Sequence, residues 1–268
     1  MDLQLSGRVA VVTGASKGMG LAITRTLLAE GARVVAASRK SSPGLEELAG
    51  PGLVHVPVDL MEEDAPGVVI SRAVAEFGRL DILVNNAGGQ PPGVLLPRGS
   101  FLDASDGDWH AMFEFNLFAV VRAVRAAIPH LLESDAAAIV NITSSNARRP
   151  SPINVDYGAA KAALANLTKQ LSGEFGPQGI RVNSVAPGAT RTEWWTDEGG
   201  VADRIAAQAG TDRTAVMERV VPEMMDLTTG RLAEPQEIAD AVALLVSPRS
   251  GSTTGAELVI DSGQLKEV

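Results

Sequence analysis

The sequence predicts a doubly wound α/β fold, a single domain in which helices flank a parallel sheet. Three observations carry that reading. Short runs of apolar residues alternate with helix-length amphipathic segments along the whole chain. The runs are almost continuously apolar rather than alternating, as in strands covered on both faces. The first run ends in a glycine-rich turn that opens directly into a helical pattern.

In chain order, the expected strands are 9–12, 33–37, 53–58, 82–84, 139–142, 181–185 and 258–260. The expected helices are 19–30, 66–77, 109–132, 155–175 and 235–247, with Gly31, Gly78 and Gly176 placed where helices should stop. Strand and helix alternating in this way make a parallel sheet with helical crossovers. No linker, repeat or low-complexity tract divides the 268 residues, so one domain is expected over 1–268. The longest irregular stretch, 190–231, carries Gly199, Gly200, Gly210 and Gly230 between short helical pieces. An insertion there, after a strand end, is a candidate lid over a substrate site.

Composition narrows the function classes. Hydrophobic residues make up 45% and charged residues 21%, and the net charge is -9. Nucleic acid as main partner calls for a basic footprint instead. The chain has no cysteine, which excludes disulfides, thiolate metal sites and cysteine nucleophiles and fits a reducing cytoplasm. His55, His110 and His130 are scattered without ligand spacing, so no metal site is expected. The first eight residues lack the pattern of a signal peptide. No apolar run approaches the ~18 residues that read as a membrane span, so no membrane partner is expected.

Two motifs carry chemistry. The turn at 13–20 reads T-G-A-S-K-G-M-G, with Gly14, Gly18 and Gly20 before a helix. Glycines let backbone approach a pyrophosphate, and the helix N-terminus supplies N–H donors and a positive dipole end. The competing reading is a turn that only closes strand-to-helix packing. The second motif is Tyr157-Gly-Ala-Ala-Lys161, which places phenol and ammonium on one helix face. A neighbouring ammonium favours the phenolate and is expected to lower the tyrosine pKa toward working pH. Tyr157 is the only tyrosine in the chain, which weighs against a chance surface pair. Ser144 follows the 139–142 run and could hydrogen-bond a substrate oxygen beside the phenol, with Ser145 as competitor for that role.

The end of the second strand speaks to the cofactor. NAD-binding proteins of this fold place a carboxylate there to bind the ribose hydroxyls. Here Ser38 is uncharged, Arg39 and Lys40 follow, and Lys17 lies in the glycine loop. Arg39 and Lys17 converging on a 2′-phosphate would select NADP(H). Solvated turn residues are the alternative.

Together these residues resemble the short-chain dehydrogenase/reductase family, from Arg8 to about Gly263. Thr13 to Gly20 matches its glycine loop, and Asn85-Asn86-Ala87-Gly88 its N-N-A-G segment. Asn116, Ser144, Tyr157 and Lys161 match its catalytic tetrad, and Pro187-Gly188 with Thr192 its P-G segment beside the nicotinamide. The resemblance implies a Rossmann-like fold and hydride transfer between NADP(H) and a carbonyl or alcohol. It places Gly14, Ser16, Lys17, Gly18, Met19, Gly20, Ser38, Arg39, Asp59, Leu60, Asn86, Ala87, Gly88, Tyr157, Lys161, Pro187, Gly188, Thr190 and Thr192 at the cofactor. Asp59 falls where the family contacts adenine. Ser144 and Tyr157 would bind the carbonyl oxygen, Lys161 the nicotinamide ribose, and Asn116 would position Lys161 through a water. Asp261-Ser262-Gly263 departs from the common D-G-G, and Thr190 from a branched aliphatic.

The resemblance also implies a homo-oligomer, most often a tetramer, paired through the helices from Trp109 and Val155. Phe113, Phe115, Leu117 and Phe118 would serve core or subunit contact, and Arg122 and Arg125 a solvated rim. Pro129 and Gly173 stand near the arginines of reductases for carrier-bound acyl chains, which points away from that substrate. Trp194, Trp195, Met217, Met224 and Met225 would give the lid an apolar wall for a medium or bulky ketone. Packing of the lid onto the domain is the competing role. An NAD-linked alcohol dehydrogenase and a non-catalytic NADP(H)-sensing protein are the alternative functions. A sensor would need no tetrad.

Overall fold

In the computed structural model, which describes residues 1–267, the first apolar run forms β1 (Val9–Thr13) with every residue buried. Val9 and Val11 pack into one helix layer, Ala10 and Val12 into the other, so neither strand face meets water. The runs that follow form β2 (Arg33–Ser38), β3 (Leu53–Pro57), β4 (Ile82–Asn85), β5 (Ala138–Ile142), β6 (Arg181–Pro187) and β7 (Glu257–Ile260). All pair in parallel, in the order β3-β2-β1-β4-β5-β6-β7. The winding direction reverses between β1 and β4, and a fold of this kind opens its ligand crevice at the C-terminal strand ends there.

The helices are α1 (Gly18–Ala29), α2 (Pro43–Glu46), α3 (Ala65–Phe77), α4 (Asp106–Phe113), α5 (Ala119–Leu131), α6 (Val155–Phe175), α7 (Glu193–Thr196), α8 (Val201–Ala209), α9 (Arg213–Ala215), α10 (Val221–Met224) and α11 (Pro235–Val246). Ile23 and Leu27 of α1 meet Ile238 and Val242 of α11 over one sheet face. Val69 of α3, Val124 of α5 and Leu164 of α6 cover the other. Each fully buried aliphatic side chain of this kind contributes about 1.5–3 kcal/mol. Opposite the crevice, buried Asp81 accepts from the Val9 N–H (2.9 Å) and the Ser134 hydroxyl (2.6 Å), holding the N-terminal strand ends.

One expected helix is corrected. The helix expected over 109–132 begins at Asp106, where Ser105 and Asp108 form a capping box, and is interrupted by a π-helical turn, Glu114–Phe118. That turn accommodates one extra residue and sends Asn116 inward, where its amide bonds the Met112 carbonyl and Gly89. Arg122 pairs with Glu114 across the turn, half-buried rather than lying on a solvated rim. α6 ends at Phe175, with Gly176 as its C-cap residue in right-handed backbone conformation. A 3-10 turn, Gly176–Gln178, follows, and Gly179 is the residue in the left-handed conformation, at φ +88°. Gly31 and Gly78, at φ +82° and +79°, also stand at helix ends.

The segment 190–231 contains α7 to α10 and a small core of its own, in which Trp195, Val201, Ala202, Val216, Met217 and Val221 pack together. Its two ends meet at a parallel bridge between Thr190 and Ala233. No helix among the described residues is long and apolar enough to cross a membrane.

Candidate active site

The glycine turn after β1 is built by close backbone approach. A Cβ on Gly20 would lie 2.1 Å from the Gly14 carbonyl oxygen, so no side chain fits where α1 begins. The Thr13 hydroxyl accepts from the N–H groups of Asn86 (3.0 Å) and Ala87 (2.9 Å). The Asn86 amide donates to the Thr13 and Gly14 carbonyls (2.9 and 3.2 Å). The turn after β1 and the N-N-A-G segment after β4 are thereby locked together across the point where the sheet order reverses. Lys17 is exposed at the N-cap of α1, Ser16 is half-buried, and Met19 packs against the core.

Gly88 marks where the tetrad residues converge. A Cβ there would lie 2.9 Å from both the Asn116 Oδ1 and the Lys161 Nζ. Asn116 clamps the next residue, accepting from the Gly89 N–H (2.7 Å) and donating to its carbonyl (2.9 Å). Buried Lys161 donates to the Ile142 carbonyl at the end of β5 (2.9 Å), with its Nζ 5.8 Å from the Tyr157 ring centre. Burial lowers its pKa from the ordinary lysine value to about 8.

Tyr157 departs from expectation in one respect. Burial raises its pKa, and hydrogen bonding with Ser144 opposes that rise. The expected lowering by Lys161 is not what this arrangement produces, because desolvation of the phenolate outweighs every other influence. The Ser144 hydroxyl also accepts from the Asn146 N–H (3.2 Å). Ser145 turns away, and its hydroxyl donates to the Gln264 side chain (3.1 Å), so Ser144 alone of the two faces the phenol.

At the end of β2, the Ser38 hydroxyl donates to the Lys40 carbonyl (2.9 Å) and lies 3.0 Å from the His55 Nε2. Arg39 is exposed, and no carboxylate among the described residues pairs with it. Asp59 accepts from the Met61 N–H (3.1 Å), and Leu60 is buried beside it. After β6, a Cβ on Gly188 would lie 2.7 Å from the Asp261 Cα, and the Thr190 hydroxyl donates to the Gly188 carbonyl (3.2 Å). Thr192 borders Gly18 across the crevice. Ser262, where glycine is common, holds φ +60°. Asp261 beside it accepts from the Gly263 and Leu265 N–H groups.

Two residues were missed by sequence reasoning. Glu193, the first residue of α7, accepts a hydrogen bond from the Gly18 N–H (3.1 Å). Its carboxylate sits on a donor at the α1 N-terminus that suits a phosphate oxygen. His55 sits on β3 beside Ser38, brought there by the β2–β3 register and not by any local pattern. The aromatic wall is smaller than expected. Trp195 and Met217 are buried in the core of 190–231, which leaves Trp194 and Met224 exposed. Beside Tyr157 the packing is apolar, with Val94, Leu96, Met112 and Phe113.

A family model for short chain dehydrogenases matches residues 8–199. The chain belongs to that family and is an oxidoreductase of the class acting on CH–OH and C=O groups. It is 34% identical over 262 residues to cis-4-hydroxycyclohexanecarboxylate dehydrogenase of Sinomonas cyclohexanicum, covering 96% of each chain. It is also 34% identical to 3beta-hydroxysteroid dehydrogenase 1 of Eggerthella lenta, covering 97% of this chain and 94% of the relative. Among solved structures, L-sorbose reductase from Gluconobacter frateurii, complexed with NADPH and L-sorbose, superposes with a TM-score of 0.90 at 31% identity and full coverage of both chains.

Proposed function

We propose that this protein is an NADP(H)-dependent oxidoreductase that interconverts a ketone and a secondary alcohol, with Tyr157 as general acid and base. The observation that carries the reading is the convergence of Asn116 and Lys161 on Gly88, with Tyr157 and Ser144 beside them, at the strand ends next to the glycine turn. The cradle fits a dinucleotide. Gly14, Gly18 and Gly20 allow the tight turn that brings the start of α1 to the crevice, exposed Lys17 lies in that turn, and exposed Arg39 follows uncharged Ser38. Relatives solved with NADPH support the same choice of cofactor.

When bound, the nicotinamide supplies or accepts the hydride. The protein's own groups do the rest. Ser144 and Tyr157 donate hydrogen bonds to the carbonyl oxygen, where negative charge develops. Tyr157 then gives up its proton, or takes one back in the reverse direction. Lys161 offers an ammonium beside the phenol as charge forms there. Asn116 holds the Gly89 backbone and, through it, the loop wall next to Lys161.

For the substrate, we infer an apolar, ring-bearing ketone or alcohol rather than a sugar. Apolar packing beside Tyr157 and exposed Trp194 and Met224 support this, as do the relatives named for cyclohexane and steroid alcohols. The test is a panel of cyclic ketones, aromatic ketones and sugars, each offered with NADPH and NADH while reduced-nicotinamide absorbance is followed. Turnover is expected with hydrophobic ketones and NADPH. Strong activity on sugars with none on cyclic ketones would overturn the substrate reading.

The exposed Phe118, where the π-helical turn joins α5, supports a subunit contact. A homo-oligomer, a tetramer by family pattern, is expected by light scattering at micromolar concentration. A monomer there would contradict it.

A further inference from the structure

The helix that carries Tyr157 starts without an ordinary cap. Its N-cap residue, Asn154, makes no capping hydrogen bond, and the Asn154 Oδ1 is buried with no partner among the described residues. A buried ion pair stands in that place. Asp156, wholly buried in the first turn of α6, accepts from Arg98 Nη1 at 2.6 Å. The same carboxylate oxygen accepts from the Tyr157 N–H at 2.9 Å. The Arg98 N–H donates to the Ile153 carbonyl (2.8 Å), and Arg98 Nη2 lies 4.0 Å from Asp108 in the first turn of α4. One guanidinium thus joins the loop after β4 to the starts of both helices.

Stability alone does not account for this arrangement. Arg98 Nη2 and Asp156 Oδ2 are buried without a hydrogen-bond partner among the described residues. Charges taken out of water with polar atoms left over are held no better than a well-packed apolar pair would be. What the pair does supply is a fixed direction, since a planar guanidinium set between two carboxylates permits little freedom.

We infer that Arg98 and Asp156 are positioning residues for Tyr157, setting the first turn of α6 against the loop after β4 so that the phenol meets Ser144 and Lys161. This rests on Tyr157 being the acid and base. Neither residue is placed at substrate or cofactor. Asp156 acts through the Tyr157 backbone, and Arg98 acts through Asp156.

The test is the double variant R98M/D156N, which removes both charges and keeps an acceptor for the Tyr157 N–H. It should melt within roughly 5 °C of the wild type, because no isolated buried charge remains. Its KM for NADPH should stay within about twofold, while kcat falls by roughly 10- to 100-fold, the usual scale for displacing a reacting group. Because Tyr157 is the only tyrosine, phenolate absorbance reports its ionisation directly. The titration should move from its raised position down toward the ordinary tyrosine value as burial loosens. Wild-type kcat with an unmoved titration in the folded double variant would overturn the inference. If that variant does not fold, R98K carries the test. It keeps the charge but loses the plane that reaches from Asp156 toward Asp108, so a loss in kcat of about fivefold or more at unchanged NADPH KM is expected. Wild-type kcat and titration in R98K would likewise overturn it. An active Tyr157→Phe would instead remove the reading on which the inference stands, so the two failures are told apart.

Discussion

Tyr157→Phe should lower turnover by roughly 100-fold or more while leaving the fold and most cofactor affinity in place. The substitution removes one hydroxyl from a half-buried ring that packs among Val94, Leu96 and Met112, so the packing survives. What disappears is the proton donor beside Ser144. Lys161→Ala should also lose activity, and should weaken cofactor binding as well, since the ammonium stands at Gly88 in the crevice wall. The pH profile carries the same signature. Burial disfavours the charged form of Lys161, so the ammonium is present below a pKa of about 8 and is lost as pH rises through it. For reduction, kcat/KM reports the free enzyme's groups and should therefore fall above about pH 8. Steady-state rates from pH 6 to 10 in wild type and Tyr157→Phe check both points. Near-wild-type turnover by Tyr157→Phe would remove the phenol from the mechanism.

Cofactor choice should reverse with one carboxylate. Ser38 already has partners in the Lys40 carbonyl and the His55 ring, and what it offers at this place is the absence of charge. Ser38→Asp puts a negative charge where a 2′-phosphate would lie and offers ribose hydroxyls an acceptor, which should favour NAD(H). Arg39 is exposed and free to form a charge-assisted contact worth ~1.5–3 kcal/mol, so Arg39→Ala should reduce NADP(H) preference by roughly 10- to 100-fold. The ratio of kcat/KM for NADPH and NADH in wild type and both variants checks this. A wild type that prefers NADH, or an unchanged ratio in Arg39→Ala, would contradict it.

The strands were legible because residues such as Val9 to Val12 are buried on both faces, and a doubly buried strand leaves an unbroken apolar run. The glycine turn, Tyr157 and Lys161 were legible because their spacing is local. Contacts set by tertiary register were not. Nothing near His55 signals Ser38, seventeen residues away, and nothing near Glu193 signals Gly18. The π-helical turn at Asn116 is not legible because the contact it serves, with the Gly89 backbone, lies on another segment. The tyrosine pKa was misjudged because a Tyr–Lys spacing shows a charge but not the burial that outweighs it. For Trp195 and Met217 the sequence leaves a substrate wall and lid packing both open, and the fold places them in the small core of 190–231.

Transfer of deuterium from reduced cofactor labelled at its transferable nicotinamide position tests the central claim most directly. The wild type, given labelled NADPH and a cyclic ketone, should place one deuterium on the carbinol carbon for each cofactor oxidised, as read by mass spectrometry. Tyr157→Phe should bind the same cofactor and deliver almost none in the same time. Cofactor binding without label reaching any carbonyl in the panel, or equal transfer by the two proteins, would contradict the account.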